Sequence, residues 1–142
     1  MEKSLIEFVH TLDLSLKKLQ KEVGENSGIS KLTIHQFQYI DAIHELGEPT
    51  ITEIADKLNI TKASVTTGIQ KLIDLGYVIK TQSIEDKRVF HASLTKTGGK
   101  LIKAKFQALK EYGDFISAAL SKEEASRFEE TLIKIVRLFK QT

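Results

Sequence analysis

A mainly α-helical chain carrying one small β-hairpin is the fold class this sequence predicts, and three observations predict it. Capping boxes, in which Ser or Thr is followed three residues later by Glu or Gln, stand at Thr33–Gln36, Thr50–Glu53 and Ser121–Glu124. Long stretches on either side of the middle repeat apolar residues every three or four positions. Only two short runs, Tyr77–Thr81 and Val89–Leu94, carry the β-branched and aromatic enrichment of strands.

The middle stretch organises the rest. After the Thr50 cap, Ile51, Ile54, Ala55 and Leu58 mark one apolar helix face, and small Ala55 permits a steep helix crossing. Asn59 tolerates the left-handed conformation that ends a helix. Ile60 is expected to plug the turn, and Thr61 to cap the next helix, Lys62 to Leu75. Val65, Ile69 and Leu72 point to the core, while Lys62, Ser64, Thr66, Thr67, Gln70 and Lys71 point elsewhere. Gly68 is expected on the outer side, allowing close approach, and Gly76 stops the helix. The two strands then flank a polar tip, Gln82 to Arg88, and Thr50–Ile51 is expected to add a short third strand.

Two short helices, a tight turn and a hairpin make a helix-turn-helix with a wing. Short polar and basic side chains suit a helix lying in a DNA groove: Ser and Thr reach phosphates or bases, and Gln pairs with adenine. Arg88 at the wing tip suits a narrow minor groove, with Asp86 close enough to orient its guanidinium or to hold the tip together. The candidate DNA-binding residues are Thr61, Lys62, Ser64, Thr66, Thr67, Gln70, Lys71, Asp86, Lys87 and Arg88. An Asp–Arg tip alone also fits an ordinary solvated turn; the order of both elements together is much harder to obtain by chance.

The same residues resemble the MarR family of winged-helix transcription regulators. The wing signature Asp-x-Arg is Asp86-Lys87-Arg88, the following Leu-Thr-x-x-Gly is Leu94 to Gly98, and the opening Leu-Thr-x-x-Gln is Leu32 to Gln36. The resemblance implies a single 1–142 domain, with a DNA-binding lobe at 32–98 and dimerisation helices at 1–23 and 99–142. It also implies a small effector, anionic or aromatic, in a crevice between the dimer helices and the DNA-binding lobe. His10, His35, Phe37 and Tyr39 are candidates by position, although core is the preferred reading of Phe37 and Tyr39. The Val65-Thr66-Thr67 run and the wing are similar to repressors of fatty-acid synthesis in that family, which adds acyl chains to the effector classes.

The flanking helices carry the dimer expectation. From Ser4 to Val23, Leu5, Val9, Leu12, Leu16, Leu19 and Val23 form a coiled-coil-like stripe with Phe8 beside it. Gly24 to Gly28 reads as a loop. The next helix follows Thr33, buries Phe37, Ile40, Ile43 or His44, and Leu46, and ends at Gly47-Glu48-Pro49. After Thr95 a helix runs to about Leu120, with Ile102, Phe106, Leu109, Ile116 and Leu120 as its stripe and Lys100, Lys103, Lys105 and Lys110 on the wet side. The last helix carries Phe128, Leu132, Ile135 and Phe139. These stripes suit a homodimer seam; packing among the chain's own helices is the alternative. A two-fold dimer spaces its recognition helices one DNA turn apart, about 34 Å, and so predicts a pseudo-palindromic operator.

Composition excludes other classes. The chain has 142 residues, 41% of them hydrophobic, and no cysteine, so a core is affordable and neither disulfides nor thiol metal sites are available. No apolar run reaches membrane-spanning length, and Met1-Glu2-Lys3 lacks a signal peptide's apolar stretch, so a cytoplasmic location is expected. Net charge is only +2, but from Thr50 to Lys100 eight Lys and Arg face five Asp and Glu. His10, His35, His44 and His91 are scattered without metal-ligand spacing, and no phosphate-binding Gly-rich loop or G-x-S-x-G is present. No enzyme activity, metal or cofactor is expected. His91 is expected to be exposed or to contact phosphate. A winged-helix module that binds protein without DNA is the rival class; salt-dependent duplex binding separates the two.

Overall fold

The computed structural model describes residues 1–27 and 32–141. Among the described residues, six helices and one hairpin follow in the order α1 (Glu2–Ser27), α2 (Ile34–Leu46), α3 (Ile51–Leu58), α4 (Lys62–Asp74), β1 (Val78–Gln82), β2 (Phe90–Leu94), α5 (Lys96–Ala119) and α6 (Lys122–Lys140).

The helix starts are set by side chains. Thr33 Oγ1 accepts from the Gln36 N–H at 3.2 Å, and Gln36 Oε1 accepts from the Thr33 N–H at 2.9 Å. Thr50 with Glu53, and Ser121 with Glu124, repeat that reciprocal box. Asn59, at φ 52°, ends α3 in the left-handed region, and its N–H donates to the Ala55 and Asp56 carbonyls.

Several expectations need correction. Helix α1 continues through Gly24–Ser27, so the expected loop does not begin there; Gly28 lies outside the described residues. One interior glycine costs about 1 kcal/mol of helix propensity and does not by itself stop a helix. Leu5, Phe8, Val9 and Leu12 are exposed. The side chains of Leu16, Leu19 and Val23 lie outside what the structure describes. In α2, Ile40 and Ile43 are buried as expected, but Leu46 and His44 are exposed, and Tyr39 and Ala42 complete the inner face. Ile60 is no plug: it is 39% exposed, because the turn closes through its backbone N–H to Ala55 at 3.1 Å.

The wing is a two-stranded antiparallel sheet, with Val78 opposite Leu94 and Gln82 opposite Phe90. The expected third strand shrinks to one bridge, Thr50 to His91, plus the Ala92 N–H donating to the Pro49 carbonyl at 2.8 Å. Thr50 caps α3 and Ile51 already belongs to that helix, which stops a longer pairing.

Within the unit of residues 1–105, one apolar cluster joins α2, α3, α4, the wing and the start of α5. Ile40 and Ile43 of α2, Ile54 and Ala55 of α3, Val65, Ile69 and Leu72 of α4, Val78 and Ala92 of the wing, and Leu101 and Ile102 of α5 are buried. Lys105 lies one turn beyond Leu101 and is therefore not on the wet side. It is half-buried, with Nζ 2.6 Å from the Asp41 carboxylate and 5.2 Å from the centre of the Phe37 ring. The second unit, residues 106–142, holds the rest of α5 and α6 around a cleft of about 490 Å³ lined by Ile116, Leu120, Phe128 and Leu132. Helix α6 has no buried residue; Leu132, Ile135 and Phe139 are exposed, as are Phe106, Leu109 and Ile116 of α5.

Candidate nucleic-acid interface

Helix α4 is cleanly two-faced. Val65, Ile69 and Leu72 are buried, whereas Thr61, Lys62, Ser64, Thr66, Thr67, Gln70 and Lys71 are all exposed. At the helix start, Thr61 Oγ1 accepts from the Ser64 N–H at 3.1 Å and donates to Ser64 Oγ at 2.9 Å. Thr66 donates back to the Lys62 carbonyl at 2.9 Å, which leaves its oxygen lone pairs outward. Gln70 spends one amide hydrogen on Asp74 at 3.0 Å, a surface bond that a base edge can replace.

Gly68 faces inward, contrary to expectation. A Cβ there would come within 2.2 Å of Tyr39 Cε2. The Tyr39 ring lies on the glycine, and its hydroxyl donates to the Ser64 carbonyl at 3.3 Å. The close approach is real, but the partner is α2. Tyr39 therefore fixes how α4 is presented. The sequence signal was available: Gly68 lies three residues after Val65, on the apolar side of the helical wheel.

The wing tip is a closed hydrogen-bonded turn. The Ser83 N–H donates to Val89 O at 2.8 Å, the Val89 N–H to Asp86 O at 2.9 Å, and Gln82 Nε2 to Lys87 O at 2.6 Å. Asp86 accepts from the Arg88 backbone N–H at 3.0 Å and, bidentately, from its guanidinium at 3.2 and 3.3 Å. The guanidinium first, and the backbone N–H second, hold the Asp86 carboxyl below its ordinary range. The Arg88 side chain is nevertheless 91% exposed, a cation held in place and still presented to the outside. Along the strands, Lys80 Nζ sits 4.2 Å from the centre of the Phe90 ring. His91 is half-buried and donates through Nδ1 to the Glu48 carbonyl at 2.9 Å, so that nitrogen ties the wing to the turn before α3.

His35 and Tyr39 line a groove of about 860 Å³ between α2 and α4, together with Ile60, Ser64, Thr67 and Lys71. Phe37 does not line it; its ring lies beneath Lys105. His10 is exposed on α1. Sequence reading also missed the Lys57–Glu45 pair, 2.5 Å long, which ties α3 to α2 and lowers the Glu45 pKa, chiefly through the hydrogen bond. Among the described residues no group of three or more His, Cys, Asp or Glu is placed to hold a metal ion, and no helix is long and apolar enough to cross a membrane.

A capped helix pair with a polar outward face, followed by a hairpin whose tip carries an anchored arginine, defines a winged helix-turn-helix protein. Residues 30–89 match the model of the MarR family. Curated relatives from Bacillus subtilis (strain 168) include two HTH-type transcriptional regulators. The HTH-type transcriptional regulator YhjH is 33% identical over 86 residues, which is 61% of this chain and 47% of that protein. The chain thus spans about half the length of YhjH. The HTH-type transcriptional regulator MhqR is 25% identical over 134 residues, 94% of this chain and 92% of its own length. Among solved structures, the Streptococcus pneumoniae FabT crystallised in complex with DNA superposes with a TM-score of 0.84 at 21% identity, covering 99% of each chain. That likeness bears on the fold. The named relatives are transcriptional regulators.

Proposed function

We propose that this chain is a dimeric, sequence-specific DNA-binding regulator of transcription, a repressor relieved by a small effector. The observation that carries the DNA reading is the outward set on one compact lobe. Lys62, Ser64, Thr66, Thr67, Gln70 and Lys71 stand exposed on α4, and Lys87 and Arg88 stand exposed on the wing. In this reading α4 lies in the major groove, the wing arginine enters the flanking minor groove, and both lysines of α4 neutralise phosphates. Thr61 and Ser64, already bonded to each other, offer oxygen acceptors and the helix N-terminus to the backbone.

The dimer reading rests on apolar surface without cover in a single chain. Leu5, Ile6, Phe8 and Val9 are exposed on α1, and Leu132, Ile133, Ile135, Val136 and Phe139 on α6. Patches of that extent usually mark an interface. We accordingly assign residues 32–98 to DNA binding and residues 1–23 and 99–142 to dimerisation. A two-fold pair reads a pseudo-palindrome. Repression and effector relief follow from the family resemblance. His35 and Tyr39 flank the recognition helix, where a small anionic, aromatic or acyl ligand would compete with DNA; His10 and Phe37 are the more distant candidates.

Selection of bound duplexes from a random pool by the purified chain tests this. A recovered two-fold motif with half-sites about one helical turn apart is expected. Recovery of no enriched sequence would overturn it.

A further inference from the structure

Ile84, at the wing tip, has an exposure that the fold does not explain. It is 98% exposed, more than any other described large apolar residue except Met1. On the long helices α1, α5 and α6, exposed apolar residues run in stripes that a second copy can cover. Ile84 is alone: Gln82, Ser83, Glu85, Asp86, Lys87 and Arg88 around it are all polar or charged. The turn has no need of it either, since Gly, Asn, Asp, Ser and Pro are the residues turns favour. Nor is the tip a loose strand of chain. The bonds Ser83 to Val89, Val89 to Asp86, Gln82 to Lys87 and Arg88 to Asp86 close it on both sides of Ile84.

A single apolar side chain beside two cations is a poor centre for a protein interface, which clusters its apolar anchors. It suits a narrow groove whose walls are deoxyribose carbons and whose floor is adenine C2–H. Minor-groove binders set apolar side chains there beside Arg and Lys. The guanine 2-amino group projects from that floor, whereas A·T pairs leave it open.

We infer that Ile84 is a second groove-reading residue of the wing, packing in the minor groove beside Arg88 and selecting A·T over G·C where the tip enters. This rests on the reading of the wing as a DNA-contacting element. The contact is apolar, so its contribution is insensitive to salt, whereas that of Arg88 is not.

The test uses the full chain, a duplex recovered from the random pool, and fluorescence anisotropy at several salt concentrations. The base pairs under the wing are set to A·T, G·C or inosine·C, the last lacking the 2-amino group. Ile84→Ala is expected to lose about three- to ten-fold in affinity on the A·T flank, a partial burial of its lost carbons. The slope of log K against log salt stays unchanged, and the preference over G·C narrows. Inosine·C should bind the wild type as A·T does, and Ile84→Val should retain most of the affinity. Arg88→Ala, by contrast, should reduce the salt slope by about one. Equal binding of wild type and Ile84→Ala on all three flanks would overturn the inference while leaving the DNA reading intact. A loss accompanied by a changed salt slope would also overturn it, since that marks a rearranged cation. Failure of the wild type to bind any duplex would overturn the DNA reading itself, and this inference with it.

Discussion

Asp86 accepts three hydrogen bonds from Arg88, and this decides how the wing answers to pH. Its folded pKa lies below the ordinary value of 3.8. The stabilisation is therefore complete above 3.8 and is lost as pH falls through the lower folded value. Compared with Asp86→Asn, the wild type should bind duplex more tightly by a constant factor across the neutral range. The two should converge only in strong acid; a difference that closes between about pH 5 and 7 would contradict this. Gly68 offers a second residue-scale test. Its added methyl would meet the Tyr39 ring at 2.2 Å, and that ring is wedged into the core. Gly68→Ala should lower unfolding stability by about 1–3 kcal/mol, read from the urea midpoint. Tyr39→Ala in the same chain should relieve part of that penalty, because the two positions share one contact. Helical spacing puts Gly68 near the apolar side, but the choice between facing DNA and facing a tyrosine 29 positions earlier is made by tertiary packing alone.

At the scale of elements, local chemistry was the most legible part. Thr33, Thr50 and Ser121 each sit at the cap their sequence spacing announces, and Asn59 takes the left-handed conformation its side chain tolerates. Thr61 caps α4 with one acceptor bond to the Ser64 N–H. Thr61→Ala should cost about 0.5–2 kcal/mol of stability and weaken duplex binding, since the start of α4 also carries Lys62 and Ser64. Denaturant unfolding and anisotropy on the same preparation check both. The misread pieces were those where two demands compete for a residue. Thr50 caps α3 and meets the wing through one bridge to His91, and the helix that begins at the next residue stops a longer pairing. Gly24 looked like a break, yet the helix continues past it. Lys105 looked solvated, yet its ammonium stands 5.2 Å from the centre of the Phe37 ring and meets Asp41 across 2.6 Å. Pairings between residues this far apart leave no periodic trace in sequence.

For the whole molecule, the winged lobe was predictable because its burial pattern and its turn chemistry agree. What covers the apolar faces of α1 and α6 was not, because a stripe reads the same whether its partner is the same chain or another. Sedimentation of the purified chain should return twice the monomer mass of 16.0 kDa at micromolar concentration. Replacing exposed Leu5 and Val9 with Asp should shift it toward monomer and weaken duplex binding. The most direct test of the account compares the selected duplex with a scrambled one across a series of salt concentrations. A preference of about a thousand-fold or more for the selected duplex is expected, with the logarithm of affinity falling linearly in log salt. Equal affinity for both duplexes, or no binding to either at low ionic strength, would contradict it.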